Sequence, residues 1–146
     1  MARGLSNFNP GNIRIGGQKF IGEKDKSTDK AFRQFVTMAF GYRAMFVLLR
    51  NYIKNGNNTI VKIISKYAPS NENNTTAYIN AVEKGSGINS NTIIQINDLD
   101  SLTKIIMAMS MVENAVKAVV ADVLEGKKLL IQTYAMEELE KKKVNN

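Results

Sequence analysis

Apolar residues recur along most of this chain with helical rather than alternating spacing. Between Gly41 and Lys54, the residues Tyr42, Met45, Phe46, Leu49, Tyr52 and Ile53 fall at i, i+3, i+4, i+7, i+10 and i+11, which is one face of a helix. Gly56 stops it. Asn58 is a good N-cap for a second helix that buries Ile60, Ile63, Ile64 and Tyr67 and ends at Pro69. A third begins after Asn74, turns Tyr78, Ile79 and Val82 inward and stops at Gly85. Asp98 caps the longest periodic run, Leu99 to Leu124, which Gly126 ends. Lys127 to Lys143 reads as a final helix with a charged end of Glu137, Glu138, Glu140 and Lys141 to Lys143.

The two remaining segments lack that period. Residues 1–39 are turn-rich, with Asn7, Asn9, Pro10, Gly11 and Asn12 followed by Gly16 and Gly17. Ile13 to Ile15 and Lys19 to Ile21 fit two short strands around the Gly16-Gly17 pair, predicting a hairpin. Phe32 and Phe35 would anchor the next segment to the core. Residues 86–97 are polar, with Ile93, Ile94 and Ile96 as a strand or docking patch. With no internal repeat and no evident linker, the pattern predicts one mainly α domain over 1–146, its 127–146 portion a helix and tail.

Composition narrows the chemistry. Among 146 residues there is no Cys and no His. Disulfides, thiolate metal sites, His-ligated zinc and imidazole acid/base steps are thereby excluded, and no metal or cofactor is expected. Any proton transfer falls to the 13 Asp and Glu. A formal charge of +7 favours an anionic partner such as nucleic acid, a membrane surface or a cell-wall polymer, or it is simply a solvated basic surface. No run reaches the roughly 18 apolar residues of a membrane span, and no signal peptide is evident behind Met1.

One carboxylate stands out. Leu102, Ile106, Met109, Val116 and Val120 form an apolar stripe, and Glu113 falls on it. Burial among such neighbours would disfavour ionisation, as a general acid requires, although a Glu at the edge of a stripe can equally turn out to solvent or to an Arg. Glu72 precedes a helix, where negative charge suits the dipole. Glu23 and Asp29, in the loop after the predicted hairpin, are candidates for a second carboxylate or for loop solvation. Asn7, Asn9 and Asn12 could bind N-acetyl groups, but turn formation needs the same residues.

The segment Arg3-Gly4-Leu5-Ser6-Asn7-Phe8-Asn9-Pro10-Gly11-Asn12-Ile13-Arg14 resembles the RGxRNxNPGNIR opening of a phage and prophage virion-protein family. The resemblance extends through Phe32-Arg33-Gln34-Phe35, Gly41 to Met45, Asn58-Thr59-Ile60, Tyr67-Ala68-Pro69, Glu72 to Thr75 and Tyr78, and covers about residues 3–125. The order of elements is also similar to that of cell-wall glucosaminidases of the lysozyme superfamily, in which an Asn-Phe-Gly-Ile-Lys-type turn precedes a Phe-Arg-x-Tyr-x-Ser segment and a helix, and the catalytic Glu ends a helix upstream of the turn. Here Ile105 to Asn114 resembles that helix at the other end of the chain, as in a circularly permuted lysozyme-like domain. Relatives read Glu-Asn-Gly where this chain has Glu113-Asn114-Ala115, a change that would let the helix continue.

These resemblances imply a lysozyme-like helical fold with a small N-terminal β-hairpin. They also imply a phage-associated peptidoglycan glycosidase, either muramidase or lytic transglycosylase. Glu113 would be the general acid and Glu23 or Asp29 a second carboxylate. Asn7, Asn9, Asn12, Arg14, Glu72 and Tyr78 would bind substrate. The partners would be glycan strands and other virion proteins, and the location the virion, or the host cytoplasm before delivery to the cell wall. A virion structural protein without catalysis is the alternative, and a nucleic-acid packaging protein rests on charge alone, with no specific nucleic-acid site in view.

Overall fold

A computed structural model describes residues 1–71 and 73–145. The order of elements is α1 (Arg3–Ser6), α2 (Met38–Lys54), α3 (Ile60–Tyr67), α4 (Thr75–Ser86), α5 (Leu99–Asn114) and α6 (Val120–Asn145). The caps are local; those of α4 and α5 are the expected Asn74 and Asp98, while α3 is capped by Thr59, one residue past the expected Asn58, and α2 begins at Met38 instead of Gly41. The side chains of Thr37, Thr59, Asn74 and Asp98 accept from the backbone N–H of Phe40, Lys62, Ala77 and Ser101, satisfying donors at each helix start.

The apolar faces of α2 to α5 meet in one cluster in which Met45, Phe46, Leu49, Ile60, Ile63, Ile64, Val82, Leu102, Ile106 and Met109 are completely buried. Val123 and Leu130 of α6 and Ile94 of the connection between α4 and α5 join it. Helix α6 lies chiefly along α2, and α4 along α5.

Further sequence expectations are corrected. The N-terminal hairpin is absent. Among the described residues there are only two isolated antiparallel bridges, Arg14 to Phe32 and Glu23 to Phe35. The reason lies in Arg33, which is 4% exposed. Its guanidinium donates to the carbonyls of Arg14, Gly16 and Gln18 and to the Glu23 carboxylate, and stacks on the Phe20 ring. Carbonyls turned inward onto a cation leave the 14–20 segment unable to pair with itself as a two-stranded ladder.

The predicted Leu99–Leu124 helix is two helices. Ala115 adopts φ 59° and ψ 17°, a left-handed C-cap, and donates its N–H to Met111 O. Glycine 126 lies inside α6 instead of ending a helix. A Cβ there would come within 2.7 Å of Tyr42 Cβ and 2.9 Å of Ala39 O, so its bare α-carbon permits α6 to cross α2 closely. Gly85 plays the same part between α4 and Ala108 of α5, and the left-handed Gly87 ends α4.

Candidate functional site

The site is assembled from three places in the chain. The first is the turn after α1. Asn9, fully buried, accepts from Ile13 N–H and donates to the carbonyls of Ile13 and Arg33, closing the Pro10–Asn12 loop and tying it to the 33–35 segment. Asn12 is thereby held at φ 50°, a left-handed conformation that Asn tolerates. Gly41 allows the loop to rest on α2, since a Cβ there would meet Phe8 O and Pro10 Cδ. Tyr67, at the end of α3, donates its hydroxyl to Gly11 O.

The second contribution is the end of α5. Asn114 is buried and donates to Pro10 O at 2.8 Å and to Ser110 O at 2.9 Å, locking the helix end to the loop. Ser110 in turn bonds the Tyr42 hydroxyl at 2.7 Å. Glu113 lies one residue before that lock and is half-buried. Leu102, Ile106 and Met109 are buried as the stripe requires, but Val116 and Val120 lie beyond the helix end and are 50% and 52% exposed. Glu113 therefore marks the rim of the core.

The third contribution is α4. The Tyr78 hydroxyl donates to Glu113 Oε2 at 2.9 Å, and Asn12 Nδ2 donates to Glu113 Oε1 at 2.9 Å. Burial, reinforced by the neighbouring Tyr67 and Glu113, pushes the Tyr78 phenol far above its ordinary range. Burial does the same for Tyr67. Both phenols are neutral donors at any physiological pH. A pocket of about 360 Å³ opens beside them, lined by Asn73, Asn74, Ala77, Tyr78, Val112 and Glu113.

The structure thus brings Glu113, Asn12 and Tyr78 together. The remaining candidates go elsewhere. Glu23 is paired with Arg33 behind the 14–20 loop, with both side chains almost fully buried. Asp29 accepts two hydrogen bonds from the Arg3 guanidinium, at 2.6 and 2.7 Å, one from Asn7 Nδ2, and two from the backbone N–H groups of Ala31 and Phe32. The Arg3 guanidinium, then Asn7 and those N–H groups, hold the Asp29 carboxyl far below the usual carboxylate range.

Asn7 also accepts from Gln34, and Asn9 uses its whole amide on backbone. Arg14 stacks on the Phe32 ring, as Arg3 does. Glu72 lies outside the described residues. Sequence reasoning missed Asn114 and Tyr67. The signal for Tyr67 was present, because it falls one turn past the buried Ile63 and Ile64. Nothing local marks Asn114, whose partners are distant in sequence.

Among the described residues no three carboxylates gather as a metal site, and no helix is long and apolar enough to cross a membrane. No family model matches the chain. Over 117 residues it is 40% identical to Protein P5 of Pseudoalteromonas phage PM2, an alignment that spans 77% of this chain and 71% of that protein. At that identity and coverage, the chain belongs to the family of phage proteins that includes Protein P5 of PM2.

Proposed function

We propose that this chain is a virion-associated phage protein that cleaves the glycan strands of bacterial peptidoglycan, with Glu113 as its single catalytic carboxylate. The observation that carries the reading is the convergence of Asn12 and Tyr78 on the two oxygens of Glu113 at the mouth of a 360 Å³ pocket. The other carboxylates proposed from sequence, Glu23 and Asp29, are already engaged by Arg33 and Arg3.

Among the described residues Glu113 is the one carboxylate lining the pocket, which favours the lytic transglycosylase route over hydrolysis, since hydrolysis needs a second carboxylate at roughly 5–9.5 Å. Protonated Glu113 gives its proton to the glycosidic oxygen as the C1–O bond breaks. The C6 hydroxyl of the same muramyl sugar closes on C1 and returns its proton to Glu113, so no water is consumed. Digestion of purified peptidoglycan should release anhydro-sugar products, lighter by one water than hydrolytic fragments. Glu113→Gln should fold and lose at least about 100-fold in rate. An equally active Gln variant, or hydrolytic products alone, overturns the assignment.

The second reading is a virion structural protein without catalysis. It is favoured by the same bonds seen differently: both oxygens of Glu113 are taken by the chain's own donors, which staple the N-terminal loop and α4 to α5. Absence of any glycan release by the wild-type protein, together with its stoichiometric presence in particles, selects this reading.

A further inference from the structure

Behind Glu113 lies an arrangement that its own hydrogen bonds do not explain. Asn12 Oδ1 and Asn114 Oδ1 are both buried and accept no hydrogen bond from any described residue. Both face the same α-carbon. A Cβ on Gly4 would lie 2.6 Å from Asn114 Oδ1, 2.7 Å from Asn9 O and 2.8 Å from Asn12 Oδ1. Three carbonyl oxygens therefore converge on one spot; Asn9 O accepts from the Asn12 N–H at 3.0 Å, while the two side-chain oxygens face the Gly4 α-carbon, whose hydrogens are weak donors. Leaving buried acceptors unpaired costs on the scale of a lost hydrogen bond each, so the arrangement needs a reason.

The two amides differ in what pins them. Asn114 cannot turn over, because its Nδ2 is held by the carbonyls of Pro10 and Ser110. Asn12 is held in its orientation by one bond alone among those of its side chain, Nδ2 to Glu113 Oε1. That bond exists because ionised Glu113 can only accept. Among the described residues the titratable groups facing Glu113 are Tyr78 from α4 and Tyr67 from α3, both neutral because burial raises them. From the N-terminal loop and from its own helix it meets the uncharged Asn12 and Asn114.

The geometry points to Asn12 as a two-position residue that tracks the proton of Glu113, an inference that rests on the catalytic reading of that site. With Glu113 ionised, Asn12 donates to Oε1 and leaves its own oxygen stranded beside that of Asn114. When Oε1 takes a proton, Asn12 Nδ2 has lost its acceptor. The amide turns over, Oδ1 accepts the new O–H, and Nδ2 donates into the cluster beside Gly4, where Asn114 Oδ1 waits. Both stranded oxygens gain partners in one rotation. The protonated carboxyl, which a general acid must hold before each turnover, thereby receives its own hydrogen-bonded state, while Tyr78 keeps Oε2 at the pocket. Asn12 is a positioning residue in this scheme, acting on substrate only through Glu113.

The test is nuclear magnetic resonance of the folded chain between about pH 8 and pH 4. In the ionised state the Nδ2 protons of Asn12 face Glu113. After reversal they face Gly4, and a nuclear Overhauser contact with the Gly4 α-protons should appear as the pH falls. Glu113→Gln should show that contact at every pH, because a Gln Nε2 donates to Asn12 Oδ1 while its oxygen serves Tyr78. A purely structural Asn12 would keep one orientation throughout. Absence of the contact across the wild-type titration, or a pH-dependent contact that persists in the Gln variant, overturns the inference. The proposed activity is tested separately. A chain that shows the reversal yet cleaves no glycan sinks only the glycosidase, and one that cleaves with a fixed amide sinks only the switch.

Discussion

Ala115 occupies a backbone conformation that an L-residue with a Cβ adopts at a cost of roughly 1–2 kcal/mol. It does so because α5 must end where it does. Asn114 is clamped between Pro10 O and Ser110 O, and the next residue has to turn away from the core so that α6 can return along α2. Ala115 is exposed, so no packing rewards its methyl group. Ala115→Gly should therefore raise stability by about 1 kcal/mol, read as a higher midpoint in urea with unchanged slope. Unchanged or lower stability would mean that the turn is held by something other than this φ angle. The same residue-scale economy holds in the site, where each side-chain atom of Asn9 is committed to backbone and none is left for a ligand.

Between elements, two effects of opposite sign meet at Gly126. In an exposed helix interior, replacing Gly by Ala gains up to about 1 kcal/mol of helix propensity. At this crossing the new Cβ would meet Tyr42 Cβ at 2.7 Å, Ala39 O at 2.9 Å and Arg43 N at 3.0 Å. Two of the three are backbone atoms of α2 and cannot swing aside, so overpacking at about 1–3 kcal/mol outweighs propensity. Gly126→Ala should lose about 1–2 kcal/mol net and lower the melting temperature, while a gain would show that α6 can slide on α2. Hydrophobic periodicity is silent on this point, because a glycine that ends a helix and one that lets two helices touch are the same letter. What separates them is the partner surface. For the same reason Gly85, read as a stop, proves to be a contact with Ala108 two residues before the true cap at Gly87.

Across the whole molecule, the N-terminal segment is held by charge as well as by the buried Ile13 and Phe35. Arg3 in α1 clasps Asp29, Arg33 clasps Glu23, and Arg3 and Arg14 both stack on Phe32. The pH consequence follows from Asp29. Its carboxyl is depressed in the folded chain by Arg3 first, then by Asn7 and the N–H groups of Ala31 and Phe32, relative to about 3.9 when unfolded. A group with a lowered folded value contributes its stability above the unfolded value and loses it as pH falls further. The formal charge of +7 grows more positive over the same range as carboxylates protonate. Stability should thus be flat from pH 7 to about 5 and fall steeply below about 4, and Asp29→Asn should be less stable at neutrality with a shallower acid slope. Equal slopes in the two proteins, measured by urea unfolding at several pH values, would remove Asp29 from the account.

Read from sequence alone, the helical periods of α2 to α5, the caps at Asn74 and Asp98 and the inward faces of the core follow directly, because period and capping are properties of consecutive residues. The absence of Cys and His, the membership suggested by the Asn-Pro-Gly-Asn turn, and the singular placement of Glu113 were legible for the same reason. What only the tertiary structure decided involves partners far apart in the chain. The 14–20 segment became a wrap around Arg33, since a buried guanidinium claims carbonyls that strand pairing would otherwise use. Ala115 became a turn because Asn114 met Pro10. Asn12 joined Tyr78 on Glu113, while Asn7 went to Asp29 and Gln34, although the two asparagines look alike in sequence. Side-chain amides and carboxylates have no periodicity to read: which partner each one takes is set by the donors and acceptors that folding brings within 3 Å, and one residue's alignment in a turn separates a structural asparagine from one that holds the candidate acid.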